Sequence, residues 1–110
     1  MITDNYTIRI FADEKGREPF IEWLESIKDK RSQLRIRNRI RRIELGNFGE
    51  YRFVGTGVFE LKCSFGPGYR VYFAKVENTV VVLLAGGDKS SQNRDIERAK
   101  TYWKQYKEQR

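Results

Sequence analysis

Histidine is absent from this 110-residue chain, cysteine occurs once and proline twice. Without histidine, and with a single thiol at Cys63, the side chains of the usual structural zinc sites and of histidine-based catalysis are missing. No apolar run approaches the roughly eighteen residues of a membrane-spanning helix. The first residues also lack the pattern of a signal peptide. We therefore expect a cytoplasmic protein that uses no metal, no other cofactor and no membrane.

The basic charge is concentrated in one segment of what we expect to be a single domain over residues 1–110, since two cores at this length would each be marginal. Residues 28–42 hold eight Lys and Arg against one Asp, which equals the whole net charge of +7. Such a local excess attracts a polyanion, and nucleic acid is the first candidate. We predict RNA contacts by Arg35, Arg39 and Arg42. The alternative is a solvated helix face.

The spacing of apolar residues predicts the element order β-α-α-β-β-β-β-α. This is an α+β fold with a twisted, mainly antiparallel sheet, an N-terminal strand, an α-hairpin and a C-terminal helix. Pro19 suits the first turn of one helix, while Asp29 can cap the next helix and Gly46 can end it. Ser90 or Ser91 can cap the last helix. The predicted strands cover residues 6–11, 51–54, 58–65, 69–76 and 79–85.

Polar and apolar side chains separate onto opposite faces of a predicted hairpin over residues 59–73. With the Gly66-Pro67-Gly68 loop closing it and Phe65 opposite Tyr69, residue 62 faces 72 and residue 60 faces 74. We predict that one face is apolar and the other open to solvent. The open face is either a catalytic surface or the ordinary polar side of a sheet. Its polar members are Glu60, Lys62, Ser64, Arg70 and Tyr72.

A glycine-rich turn, Gly86-Gly87-Asp88-Lys89-Ser90, joins the last strand to the C-terminal helix. Backbone N–H groups at such a turn can receive an anion, and Lys89 adds a mobile cation. A plain strand-to-helix connection also needs glycine and serine, so both interpretations stay open. The spacing is not that of a nucleotide-binding P-loop.

The element order and the stretches 59–73 and 83–96 together resemble the RelE/ParE toxin superfamily, most closely its HigB-like branch of addiction-module killer proteins. The resemblance covers nearly the whole chain. It implies the toxin of a bacterial type II toxin–antitoxin pair, inhibited by a small antitoxin that is usually a helix-turn-helix protein. RelE-like members cleave mRNA on the ribosome with cations. The resemblance therefore implies a metal-independent endoribonuclease, an mRNA interferase that inhibits translation, with ribosome and mRNA as partners.

The same resemblance implies roles for individual residues. Arg70 matches the arginine of the Gly-Tyr-Arg-Val motif, which holds the scissile phosphate, and Lys62 matches a catalytic strand lysine. Glu60 or Lys62 is then the candidate base, and Lys89 the acid or a phosphate anchor. Glu60 could instead only pair with Lys62 or Arg70 and order the site. Tyr72 on the same face is predicted to contact RNA.

Two other functions stay open. ParE-like members of the superfamily poison DNA gyrase without cleaving RNA, so the fold alone does not decide the activity. Glu60 stands where RelE has a lysine, and RelE's tyrosine near the start of the terminal helix has no clear counterpart, which favours the gyrase poison. The third function is a non-catalytic basic module whose segment 28–42 docks RNA or an acidic protein.

Overall fold

A computed structural model describes residues 5–109 and confirms the predicted order of elements. The strands are β1 (Thr7–Ile10), β2 (Tyr51–Gly55), β3 (Val58–Lys62), β4 (Arg70–Val76) and β5 (Val80–Gly87). The helices are α1 (Pro19–Ser26), α2 (Lys30–Glu44) and α3 (Gln92–Glu108), the last preceded by a short 3-10 turn at Lys89–Ser91. Among residues 5–109 no helix is both long and apolar enough to cross a membrane.

One five-stranded sheet organises the chain, with the strand order β1-β5-β4-β3-β2. Strands β2 to β5 form the predicted antiparallel meander, while β1 lies parallel to β5 at the far edge. The sheet is therefore mainly antiparallel, as expected. Strand β2 forms the other edge.

Helices α1 and α2 cover one face of the sheet. Pro19 is the first residue of α1, and the Asp29 side chain caps α2 by accepting from the Arg31 N–H. Gln33 at the start of α2 donates to the carbonyl of Ile27, 2.6 Å away, just after α1 ends. The helices turn back on each other there. Their apolar residues Leu24 and Ile36 share one core with the sheet.

Helix α3 covers the opposite face, so the central strands β4 and β5 are buried on both sides, while the edge strand β2 stays largely exposed. Ala99 and Trp103 of α3 pack in a second core with Tyr72, Val82 and Leu84 of the sheet. Neighbouring residues alternate between the two cores over 71–74 of β4 and 80–84 of β5, because strand side chains alternate between faces. The pairing of β4 with β5 is irregular at Leu84, and Ala85 lies in the same core as Leu84.

The register predicted for the β3–β4 hairpin is wrong by two residues. Lys62 pairs with Arg70 and Glu60 with Tyr72, whereas the prediction set residue 62 opposite residue 72. The strands stop at Lys62 and Arg70, and residues 63–69 form a wider loop closed by a 2.9 Å bond from the Cys63 N–H to the Tyr69 carbonyl. A shift by an even number keeps each side chain on its predicted face.

One of the two residues predicted to cap the last helix is in place, but another side chain makes the cap bond. Ser91 occupies the N-cap position of α3, and its side chain makes no cap bond to that helix. Asp88 caps the 3-10 turn that precedes α3, accepting from the Ser90 N–H at 2.9 Å.

Gly86 tests how closely α1 packs on β5. A Cβ at this position would lie 2.1 Å from Cε3 of Trp23 in α1. We expect Gly86→Ala to lower the unfolding free energy by about 2 kcal/mol, because the indole has to move out of its packed position. Thermal unfolding measures the loss. The control is Gly16→Ala, where nothing lies within 4 Å and only the positive φ of +79° is strained. Equal losses in the two variants would contradict tight packing at Gly86.

Candidate functional site

A buried carboxylate, Glu60 on β3, lies among polar side chains from three other elements. Arg52 of β2 donates from Nε to Oε1 at 2.9 Å. Tyr72 of β4 and Gln92 of α3 donate to Oε2 at 3.2 and 2.8 Å. Nε of Arg70 lies 3.8 Å from the same oxygen. We call these five residues the Glu60 network.

The network keeps Glu60 ionised and Tyr72 protonated. Burial alone raises the pKa of Glu60, but hydrogen bonds from Arg52 and Gln92 and the charge of Arg52 outweigh it, so the pKa falls below its ordinary value. Burial and the neighbouring carboxylate raise the pKa of the Tyr72 phenol. A carboxylate with a low pKa and both oxygens occupied is a weak base. This geometry favours the ordering role of Glu60 over the role of base.

The prediction of an open polar face is wrong for Glu60, Arg70 and Tyr72, which are buried beneath α3, whereas Lys62 and Ser64 on the same face are exposed as predicted. Tyr72 is completely buried, so the predicted RNA contact by this side chain does not fit the structure. Arg70 is only 8% exposed, and its Nη1 donates to the carbonyl of Gly68. Replacing Arg70 would leave Glu60 short of a nearby positive charge, and we expect it to affect folding as well as any activity.

Lys89 and Arg70 meet at Gly68. A Cβ on Gly68 would lie 2.8 Å from Nη1 of Arg70 and 3.3 Å from Cβ of Lys89. The backbone N–H of Lys89 also reaches the carbonyl of Pro67 in the same loop, at 3.4 Å. Lys89 itself is exposed. The glycine-rich turn therefore brings a mobile cation next to the buried arginine.

A cleft of about 440 Å³ lies between α2 and the end of β3. Arg35, Arg39 and Arg42, the three predicted RNA contacts, all line it, and so does Lys62. We call it the basic cleft. Its other lining residues are Asn38, Gly49, Glu50, Cys63, Ser64 and Phe65.

Internal contacts hold the cations of the basic cleft in place. The Arg35 guanidinium lies 4.0 Å from the centre of the Phe65 ring, a cation–π contact. Arg39 donates from Nη2 to the carbonyl of Glu50 at 3.3 Å, while its buried Nη1 has no hydrogen-bond partner among residues 5–109. Lys62 is 46% exposed, and its ammonium lies 3.7 Å from the Glu50 carboxylate. The cleft thus keeps its positive groups next to open space.

Cys63 lines the basic cleft and is buried, with 1% of the residue exposed. Burial raises the pKa of its thiol, and the charges of Arg39, Arg70 and Arg35 only partly oppose the rise. The predicted site residues thus fall into three groups. Lys62 and the three helix arginines share the cleft. Lys89 adjoins Arg70, and Tyr72 and Glu60 are buried in the protein.

Sequence reasoning missed Arg52 and Gln92. Arg52 pairs with Glu60 across β2 and β3, and drawing that hairpin from its Gly55-Thr56-Gly57 turn would have shown the pair. Gln92 comes from a distant helix, and no local pattern marks it. Within residues 5–109, no three side chains of the Cys, Asp and Glu types are grouped so as to hold a metal ion.

Comparison with known proteins relates the chain to one from Haemophilus influenzae that carries the description "Uncharacterized protein". The two are 46% identical over 81 residues, which cover 74% of this chain and 82% of the relative. The chain belongs to the same family as this Haemophilus influenzae protein. No protein-family model matches the chain. The relationship assigns the family and carries no activity.

Glu60→Gln tests the Glu60 network. We expect it to lower the unfolding free energy by on the order of 2 kcal/mol at pH 7, because Arg70 loses its buried counter-charge. Since the folded pKa of Glu60 lies below its ordinary value, about 4.3, the difference from wild type should be full above that pH and shrink as the pH falls below it.

The measurement is chemical denaturation of both proteins over a pH series. The matched control is Glu50→Gln, since Glu50 pairs with Lys62 but is 67% exposed. Exposed pairs contribute little, so this variant should stay close to wild type at every pH. A Glu60→Gln protein as stable as wild type at pH 7 would contradict the network's structural role.

Proposed function

We propose that this protein is the toxin of a bacterial type II toxin–antitoxin pair, of the RelE/ParE superfamily and its HigB-like branch. In this proposal it acts in the cytoplasm as a metal-independent, ribosome-dependent mRNA endoribonuclease. The observation that carries the proposal is the basic cleft, which Arg35, Arg39, Arg42 and Lys62 all line.

The charges of the cleft suit the backbone of a single RNA strand. Arginine and lysine side chains neutralise phosphates without reading sequence, so they position the strand and leave base choice to other contacts. Arg35 is held by Phe65 and Arg39 by the Glu50 carbonyl. Less side-chain freedom is then lost when the strand binds.

Cleavage needs groups that act on one phosphate. The RNA 2′-oxygen attacks phosphorus, a bond to the 5′-oxygen breaks, and the products are a 2′,3′-cyclic phosphate and a 5′-hydroxyl. A base takes the proton of the 2′-hydroxyl, an acid protonates the leaving oxygen, and cations stabilise the intermediate. We assign the direct contacts to the exposed Lys62 and Lys89. Arg70 supplies fixed positive charge behind them, held in place by Glu60.

The proposed antitoxin is a small helix-turn-helix protein encoded next to the toxin. An acidic segment covering the basic cleft would block the approach of RNA and complement the charge of residues 28–42. Inhibition then requires no change in the toxin fold.

A gyrase poison of the ParE type is the second candidate. One observation favours it: both oxygens of Glu60 are occupied inside the protein, which leaves the lysines to supply the base. A non-catalytic RNA-binding module would use the same cleft without cleaving. Activity measurements separate the three candidates.

Induced expression tests the ribonuclease. We expect the wild type to arrest bacterial growth, the neighbouring small gene to relieve the arrest, and primer extension on translated mRNA to show cuts within codons. Lys62→Ala should lower cleavage by about a hundredfold, because an oriented cation at the phosphate is lost. The control is Lys104→Ala, which removes an exposed lysine on α3. Growth arrest with intact mRNA and accumulated gyrase–DNA adducts would favour the gyrase poison instead.

Charge reversal tests the basic cleft. Arg35, Arg39 and Arg42 changed together to Glu should weaken ribosome or RNA binding and flatten its dependence on salt, by about 2 in the log–log slope for three phosphate contacts on a single strand. Arg31, Arg37 and Arg41 changed to Glu form the control, since they lie on α2, alter the net charge equally and do not line the cleft. Equal weakening by both triple variants would mean that only overall charge matters.

A further inference from the structure

Two aromatic rings on the edge strand are exposed to solvent. Phe53 is 60% exposed and Tyr51 40%. They alternate with Arg52 along β2, so both rings lie on the same face of the sheet. Phe59 of β3 lies between them, with ring centres 5.3 Å from Phe53 and 5.8 Å from Tyr51. We call these three rings the aromatic patch.

Tyr51 packs partly against the core rings of Phe48 and Phe73, but the core does not account for Phe53. Phe59 already stacks on the fully buried Phe73, at 5.4 Å between ring centres. Phe53 only adds to the outer side of Phe59, and more than half of its surface stays in water. An apolar ring left mostly in water gains little from folding. Exposed apolar patches commonly mark binding surfaces.

A cation lies among these rings. The Lys75 ammonium is 5.3 Å from the ring centre of Tyr51, 5.2 Å from that of Phe59 and 4.6 Å from that of Phe48. In the part of the chain that the structure describes, no carboxylate lies within 4 Å of this ammonium. The patch therefore combines flat apolar faces with positive charge, which suits an anionic and aromatic ligand.

The aromatic patch continues from the basic cleft along two strands. Glu50, which lines the cleft, directly precedes Tyr51. Lys62, also in the cleft, directly follows Leu61, the residue that pairs with Tyr51. A single nucleic-acid strand whose phosphates lie in the cleft can therefore reach the rings by following β2 and β3.

We propose that the aromatic patch is a base-stacking surface for the single-stranded RNA whose backbone lies in the basic cleft. This rests on the proposed function and adds a part of the substrate to it: unpaired bases next to the bound phosphates. Positive grooves flanked by exposed rings are how proteins hold single strands, and every base has a face that stacks. The positive charge of the cleft and of Lys75 distinguishes RNA from an apolar protein partner.

Binding of a labelled oligonucleotide tests the proposal. The probe is 2′-O-methyl oligoadenylate of about twelve nucleotides, a length near that of single-strand sites, which has no 2′-hydroxyl and is not cleaved. By fluorescence anisotropy, Phe53→Ala should bind it about tenfold more weakly, with an unchanged salt slope because no phosphate contact is lost. Phe53→Trp should restore binding. Leu34→Ala, on a leucine that is 57% exposed outside the patch, is the control.

A second probe of equal length carries abasic sites in place of adenines. Wild type and Phe53→Ala should bind this probe equally, because only phosphates remain. Phe53→Leu keeps apolar bulk but has no ring, so it should behave as Phe53→Ala with both probes.

Equal affinity of all variants for oligoadenylate would overturn the stacking surface, and the proposed function would stand if the wild type still cleaved mRNA. If the wild type formed a concentration-dependent dimer and Phe53→Ala stayed monomeric, the stacking surface would be overturned, and a second copy of the chain would be the ligand of the patch. Failure of the wild type to bind either probe would also overturn the stacking surface. The ribonuclease is tested independently, because intact mRNA during growth arrest would reject it whatever the oligonucleotides show.

Discussion

One negative charge inside the protein, on Glu60, sets the arrangement of everything around it. A buried carboxylate is stable only where donors surround it, and here the donors come from β2, β4 and α3. Arg52 ties the edge strand to the centre of the sheet, and Gln92 ties α3 to it. The same carboxylate lies 3.8 Å from Nε of Arg70, in a site with little access to water. The position of the buried Arg70 therefore depends on the carboxylate of Glu60.

Periodicity predicted much of the fold because each element has one buried side. The order of elements, Pro19 at the start of α1, the Asp29 cap and the faces of β3 and β4 are all as expected from local rules. The features that local rules did not predict depend on contacts between residues distant in sequence. The hairpin register depends on how wide the 63–69 loop is, which glycine and proline do not determine. The parallel pairing of β1 with β5 leaves no signal in either strand alone.

The sequence predicted which charged residues form the candidate site, but it did not predict which of them are buried. The excess of arginine in 28–42 led to Arg35, Arg39 and Arg42, and the structure groups them with Lys62 in one cleft. Alternation on β3 and β4 suggested an accessible face, because a polar strand face is usually solvated. Here α3 covers the part with Glu60, Arg70 and Tyr72, and Glu60 accepts hydrogen bonds from its neighbours instead of from water. Whether a polar face meets water or a helix depends on tertiary packing, which strand periodicity does not contain.

The parallel pairing of β1 with β5 makes the first two elements of the fold depend on a strand that is made much later. Thr7 pairs with Val80, and α1 packs mainly against β5. On the ribosome, β1 and α1 therefore have no strand to join until β5 has been made. Contacts so distant in sequence also slow folding, since a long loop must close first. The lining of the basic cleft ends at Phe65, before β5 begins. The nascent chain therefore contains every residue of the cleft before it contains the strand that holds β1 and α1.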